Sequence, residues 1–472
     1  MKKAILRILS LALCIMLVFT LGACGDKYTE SGAGLLDFGD ETGDGLTKDD
    51  GTASNGASSA QGSNSSGGSS NGDGGSSSSS GDGYFDNIPA RLKGTTVTFA
   101  CWGDEGNSAY QPMIRAFTKK TGIKVKIENV EQGTYMSTVQ QKIVAGKGPD
   151  VIVDCEAFAT AISILQPIEK YIDLSDDFWD DDCTKITTVN GHTYEVNSKK
   201  SNWKDYNYLI YNKSLFTKNS IKSPGDYWKE GKWTYENALK CMRDMAKTGN
   251  YGGDITSYMM AASLGTPMVS YDPATQTFKN NITNENVVKA WQFHRTLMDE
   301  NIWEQGMWFT HFNNGNVGLY TGGVFNSKFN GRFSSMDGSL LAAVPMPVSY
   351  EGKELKQVAT HRGYGIAKNA ANPEGAAYFL RWFLDYQNYK DAGVKVFKNS
   401  EIENWYFKEY IPYVEKVGVT YDFYQCALKI LKEDANQYIE IKTEGKEQIP
   451  ALLASKVNEV DSAIKELNSL LK

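Results

Sequence analysis

Histidine is scarce in this sequence, and the shortage removes whole classes of chemistry. The four, His192, His294, His311 and His361, stand far apart, so no H-E-x-x-H pair exists to hold a catalytic zinc. A Walker A loop is missing, and G-x-S-x-G does not occur outside the low-complexity tract described below. There is then neither a phosphate cradle nor a nucleophile elbow. Basic residues are outnumbered, 49 Lys and Arg against 56 Asp and Glu, for a formal net charge of −7. Neutralising a phosphate backbone needs a basic face, so nucleic acid is not an expected partner. Cysteine is sparse too, and none of the seven pairs at the C-x-x-C spacing of a zinc site. No metal and no cofactor are expected, and no catalytic residues.

What is present begins with a leader. Lys2, Lys3 and Arg7 precede an almost wholly apolar run from Ile8 to Ala23 that ends in the small pair Gly22-Ala23, the layout of a secretory signal peptide. A membrane span needs roughly 20 uninterrupted apolar residues. Arg7 cuts this run and no basic cluster follows it, so an uncleaved anchor is the lesser alternative. "LGAC", Leu21 to Cys24, resembles the lipobox of bacterial lipoproteins, which implies cleavage before Cys24 and a lipid on its sulfur. Removing residues 1–23 takes away three basic residues and leaves 46 against 56 acidic ones, a mature charge of −10. Cys14 leaves with the leader. Cys101, Cys155, Cys183, Cys241 and Cys426 remain, an odd and scattered set read as buried free thiols, with one buried disulfide as the alternative.

Residues 51–83 are nearly all Gly, Ser, Asn, Asp and Ala. They cannot bury enough apolar surface to offset ordering entropy, so 24–86 is expected to be a disordered tether. Treated as a flexible coil, its roughly 60 residues reach about 40 Å. The remaining length suits two domains. "TTVTFAC" reads as a buried strand, Met113, Ile114 and Phe117 mark one face of a helix closed at Gly122, and "IKVKIENV" alternates as a second strand. A helix from about Tyr135 to Ala145 then leads into the short apolar strand "DVIVDC". This β-α-β-α-β order predicts a doubly wound sheet whose ligands bind beyond the carboxyl ends of its strands. At the other end Leu452, Val457, Val460, Ile464, Leu467 and Leu471 recur at helical intervals, an amphipathic helix packed on its own lobe.

From residue 93 onward the chain resembles the family 1 extracellular solute-binding proteins of ATP-binding-cassette importers. The resemblance rests on "AFTKKTGIKVKIE", "KIVAGKGPDVIV", "LQPIEKYI", the hairpin "VNGHTYEV", "YLIYNKSLF", "GKWTYENALKCM", "FNNGNVGLYTGG", "AAVPMPVS" and "YGIAKNAANPEGAAYFLRWFL", in the family's order. One departure stands after the hairpin, where relatives carry a proline and this chain reads "EVNSKKSNW". The resemblance implies an α/β, two-lobed, periplasmic-binding-protein-like clamp of type 2 topology, each lobe a mixed sheet flanked by helices. Lobe 1 is expected at 87–205 plus about 356–400 and lobe 2 at 206–355 plus about 401–472. Crossings are placed near Trp203 to Tyr211, near Val358 to Gly363 and near residue 400.

The implied function is capture of a small molecule, a saccharide and most simply an oligosaccharide, between the lobes for delivery to ABC permease subunits. A monomer on the outer face of the cell membrane is implied, held by the Cys24 lipid and fitting a Gram-positive cell. Aromatic residues make up 12% of the chain, and flat rings suit the C–H face of a sugar. Candidate ligand contacts at strand ends, crossings and glycine-flanked loops are Trp102, Asp104, Glu105, Glu156, Trp203, Tyr208, Trp303, Trp308 and Phe325. The resemblance adds His361, Arg362 and Tyr364 before the strand "GIAK". The alternatives are a binding protein or sensor for a non-sugar solute and, further off, a glycoside hydrolase using paired carboxylates.

Overall fold

In this computed structural model the described residues are 83–101, 111–154, 157–201, 204–304, 309–323, 333, 335–397, 399–431 and 445–472. They build two sheets. The first has the order β2-β1-β3-β16-β6. It comprises β1 (Thr96–Cys101), β2 (Lys124–Asn129), β3 (Val151–Val153), β6 (Glu195–Val196) and β16 (Tyr364–Ile366). β1, β2 and β3 run parallel because the helices Gln111–Thr121 and Tyr135–Val144 carry the chain back between them. Gly122 ends the first of these helices at φ +77°, a left-handed conformation that suits glycine. β1 is central, with Val97, Phe99 and Cys101 fully buried, whereas β2 lies at the edge and carries Lys124, Lys126 and Glu128. Phe99 meets Phe379 and Phe383 of the helix Pro373–Phe383 at centroid distances of 5.6 and 5.1 Å. β16 adds antiparallel to β3, and β6 pairs antiparallel with β16 and so runs with the parallel trio; the sheet is mixed.

The second sheet has the order β17-β15-β7-β11-β8, with β12 also on β7. Its strands are β7 (Asp205–Asn212), β8 (Tyr251–Gly253), β11 (Val317–Gly323), β12 (Leu341–Pro345), β15 (Gln357–Thr360) and β17 (Val419–Asp422). β7 is its spine. One side pairs with β11; the other pairs with β15 through residues 205–207 and with β12 through 208–212. Three hairpins stand apart: β4 (Thr188–Val189) with β5 (His192–Thr193), β9 (Val269–Asp272) with β10 (Thr277–Asn280), and β13 (Ser349–Tyr350) with β14 (Lys353–Glu354). The first turns at Asn190 and Gly191, both at positive φ, as a two-residue hairpin requires.

The chain passes between the sheets at 197–204 and again at 361–363. β15 hydrogen-bonds to β7 and β17 and so stays in the second sheet to Thr360. The C-terminal helix Ile449–Leu470 packs on the helix Tyr424–Leu431 and on β10. Its buried stripe runs through Leu453, Val460, Ala463, Ile464 and Leu467; Leu452 and Val457, expected in that stripe, lie only half-buried at its edge. Cys101, Cys183, Cys241 and Cys426 are buried, Cys183 and Cys241 as free thiols, and Cys155 lies outside the described residues. None of the described helices is long and apolar enough to cross a membrane.

Candidate functional site

The first two links between the lobes run side by side. Thr360 pairs with Asp205 where β15 and β7 leave the second sheet, and Tyr364 pairs with Val196 where β16 and β6 stand in the first. Between these points the Asn197 side-chain amide donates to the Arg362 carbonyl at 3.0 Å, tying one link to the other. A small crevice of about 20 Å³ lies here, with Asp180, Lys204, Tyr206, His361, Arg362 and Tyr421 among its walls.

One polar cluster in the crevice is balanced in charge. Asp180 caps the helix Asp181–Thr187 by accepting from the Cys183 N–H at 2.9 Å, and its other oxygen meets Lys204 Nζ at 2.5 Å. Burial pushes the Asp180 carboxyl up, but the Lys204 ammonium together with the Cys183 and Asp182 backbone N–H groups holds the group below the ordinary carboxylate value. Burial likewise presses Lys204 down while Asp180 raises it, with a net upward shift. A buried acid and a buried base therefore keep each other charged.

The second cluster sets two acids against one imidazole. His361 Nε2 lies 3.1 Å from Glu195 Oε2 and 3.6 Å from Asp154 Oδ2, with side-chain exposures of 4%, 0% and 0%. Burial, then the Glu195 charge, pushes the Asp154 carboxyl up to about 8 against the pull of His361 and Arg362. Burial alone lifts Glu195 well above its ordinary value. β3 ends at Val153, so Asp154 projects from the carboxyl edge of the first sheet, while β6 supplies Glu195 and the link before β16 supplies His361. Gly363 makes the packing possible, because a Cβ there would stand 2.3 Å from Glu195 Oε2. The imidazole is walled by Phe158 of the first lobe, edge-on at 5.6 Å, and by Phe423 beyond β17, near-parallel at 6.4 Å. Phe158 also meets Tyr271 and Phe278 of the β9–β10 hairpin at 5.0 and 5.4 Å, so an aromatic knot joins the lobes beside the cluster.

Of the twelve expected ligand contacts, His361 and Arg362 reach this crevice. Tyr208 does not: it is fully buried in β7 beneath Trp405, Tyr406 and Tyr410. Tyr364 is fully buried against Phe99 and Phe383 inside the first lobe, and Trp303, 4% exposed, packs on Tyr320. These three rings stand where core packing needs them. Trp102, Asp104, Glu105, Glu156, Trp203, Trp308 and Phe325 lie outside the described residues, as does Cys24. Asp154, Asp180, Glu195, Lys204 and Tyr206 were not singled out from sequence. The signal that marks Glu195 is its place in "YEVN", an acid amid an otherwise apolar strand end directly after the hairpin, where the chain departs from the family pattern.

Solved structures share the architecture. An ABC substrate-binding protein from Listeria monocytogenes in complex with cycloalternan aligns at a TM-score of 0.55 and 16% identity, covering 79% of this chain and 98% of the other. The galacto-N-biose/lacto-N-biose I-binding protein of an ABC transporter from Bifidobacterium longum, in complex with lacto-N-biose, aligns at 0.56 and 12% identity, covering 79% and 97%. The GacH receptor of Streptomyces glaucescens, determined unliganded and with acarbose, aligns at 0.53 and 18% identity with the same coverage, 79% and 97%. No curated protein matches the chain in sequence. Residues 112–395, more than half of the chain, match the family described as bacterial extracellular solute-binding protein, with a two-lobed fold to agree, and the chain belongs to that family.

Proposed function

We propose that this protein captures a carbohydrate, an oligosaccharide, between its two lobes and passes it to the permease of an ABC importer, without chemistry of its own. The observation that carries the reading is the pair of tied links with a polar, aromatic-walled crevice at the junction of the lobes. The solved neighbours with cycloalternan, lacto-N-biose and acarbose support the ligand class. His361 and Arg362 are proposed contacts, joined by Trp102, Asp104, Glu105, Glu156, Trp203, Trp308 and Phe325. A diacylated Cys24 at the head of the tether would hold the receptor at the outer face of the membrane, in keeping with a Gram-positive cell. Each buried CH₂ of such chains contributes about 0.8 kcal/mol, so two chains hold where one only lingers.

The buried carboxylate pair does not favour a hydrolase. Glycosidase carboxylates flank the bond they cleave, separated by about 5 to 9.5 Å. The donor atoms of Asp154, Glu195 and His361 lie within 4.8 Å of one another and are buried, which leaves no room for a sugar between them. The test is a panel of mono- and oligosaccharides, peptides and polyamines, read by thermal melting and calorimetry on the purified chain. An oligosaccharide that raises the melting temperature and is recovered unchanged is the expected result. Saccharide turnover, or stabilisation by a peptide or polyamine alone, overturns the reading.

A further inference from the structure

We propose that Asp154, Glu195 and His361 form a binding site for one divalent transition-metal ion, Zn²⁺ being the ion of choice, set at the root of the link between the lobes. Metal–donor bonds of about 2.0–2.2 Å in a tetrahedral site place neighbouring donor atoms ~3.3–3.5 Å apart. Here the imidazole nitrogen stands 3.1 and 3.6 Å from the two carboxylate oxygens, and all three donor atoms lie within 4.8 Å of one another. No other grouping of three such side chains occurs among the described residues.

The charge count points the same way. Two carboxylates share a buried space with one imidazole, and Arg362 is the cation that acts on Asp154 from nearby. Two carboxylates brought together in a buried space need a shared proton or cation between them, and a dication can take that place. The second oxygen of Glu195, Oε1, is buried with no hydrogen-bond donor among the described residues, so that carboxylate has a lone pair to give. Imidazole with two carboxylates suits zinc or manganese better than calcium or magnesium, which prefer all-oxygen shells. The Gly363 N–H steadies Asp154 from behind, as outer hydrogen bonds do for metal-bound carboxylates. An ion can enter from the crevice, whose wall includes His361. Once seated, it would pin the 361–363 link to the ends of β3 and β6, making the metal a fastener of the hinge instead of a catalyst.

Sequence spacing hides such a site, because its donors come from three separate segments. The proposal does not rest on the carbohydrate reading. The full chain, stripped by chelation and titrated with Zn²⁺ alone, is expected to bind one ion with a Kd below ~10 µM. It should melt several degrees higher when loaded, and crystals should show an anomalous peak between the three side chains. Glu195→Gln should weaken binding at least ~100-fold; should that variant not fold, His361→Gln serves in its place. Absence of saturable binding below millimolar Zn²⁺, or affinity unchanged in these variants, overturns the site and leaves the cluster holding a proton. Saccharide affinity is not read in this experiment, so its failure leaves the receptor reading standing.

Discussion

Asp180 and Asp154 are both buried carboxylates at the lobe junction, yet their surroundings push them in opposite directions. Asp180 faces the Lys204 ammonium and is held below the ordinary carboxylate value; burial and the neighbouring Glu195 push Asp154 up to about 8. The difference lies in arithmetic of charge, because burial raises both. One cluster pairs an acid with a base, while the other crowds two acids around one imidazole.

Removing a charge from each is the strongest way to test that contrast. Lys204→Met leaves Asp180 buried and uncompensated, and unfolding in urea should show a loss of about 3–5 kcal/mol. Glu195→Gln in metal-free protein should cost less than ~1 kcal/mol or raise stability, since burial already favours the uncharged acid that the amide mimics. Equal losses in the two variants would erase the distinction. Gly363→Ala comes next. Its Cβ would collide with Glu195 Oε2, at a cost of about 1–3 kcal/mol, and the cost should shrink in a Glu195→Ala background. A cycle that is strictly additive would place the strain elsewhere.

The smallest effect is in pH. Asp180 has a folded-state pKa below its ordinary value of 3.8, so its contribution is fully present above that value. It is lost as pH falls through the lowered pKa of the folded state. Acid unfolding of Lys204→Met should lack this component; an identical acid limb in variant and parent would show that the pair is not linked to folding.

Much of the first lobe was legible because it is local. The order β1, helix, β2, helix, β3 follows from periods and glycine stops within about 60 residues, and the Asn190-Gly191 turn announces its hairpin. The second sheet was not legible in the same way. β7 gathers β11, β12 and β15 from more than a hundred residues downstream, and no pattern within β7 says which strand lies beside it. Tyr208 shows the result: its nearness to a crossing suggests a ligand contact, and the strand packs it beneath Trp405 and Tyr410. The acids at the junction failed for a related reason. Glu195 and His361 stand 166 positions apart, so their meeting exists only once both sheets are built.

The brevity of the second link has a consequence for motion. Thr360 closes a strand of one sheet and Tyr364 opens a strand of the other. Four residue steps span at most roughly 14 Å when fully drawn out, and the Asn197 amide fastens the neighbouring link to this one. The lobes can therefore swing about this seam but cannot slide past each other. A pair of probes on the distal rims would register a ligand-driven change as a large separation, whereas a pair beside Asn197 and Arg362 would stay nearly silent.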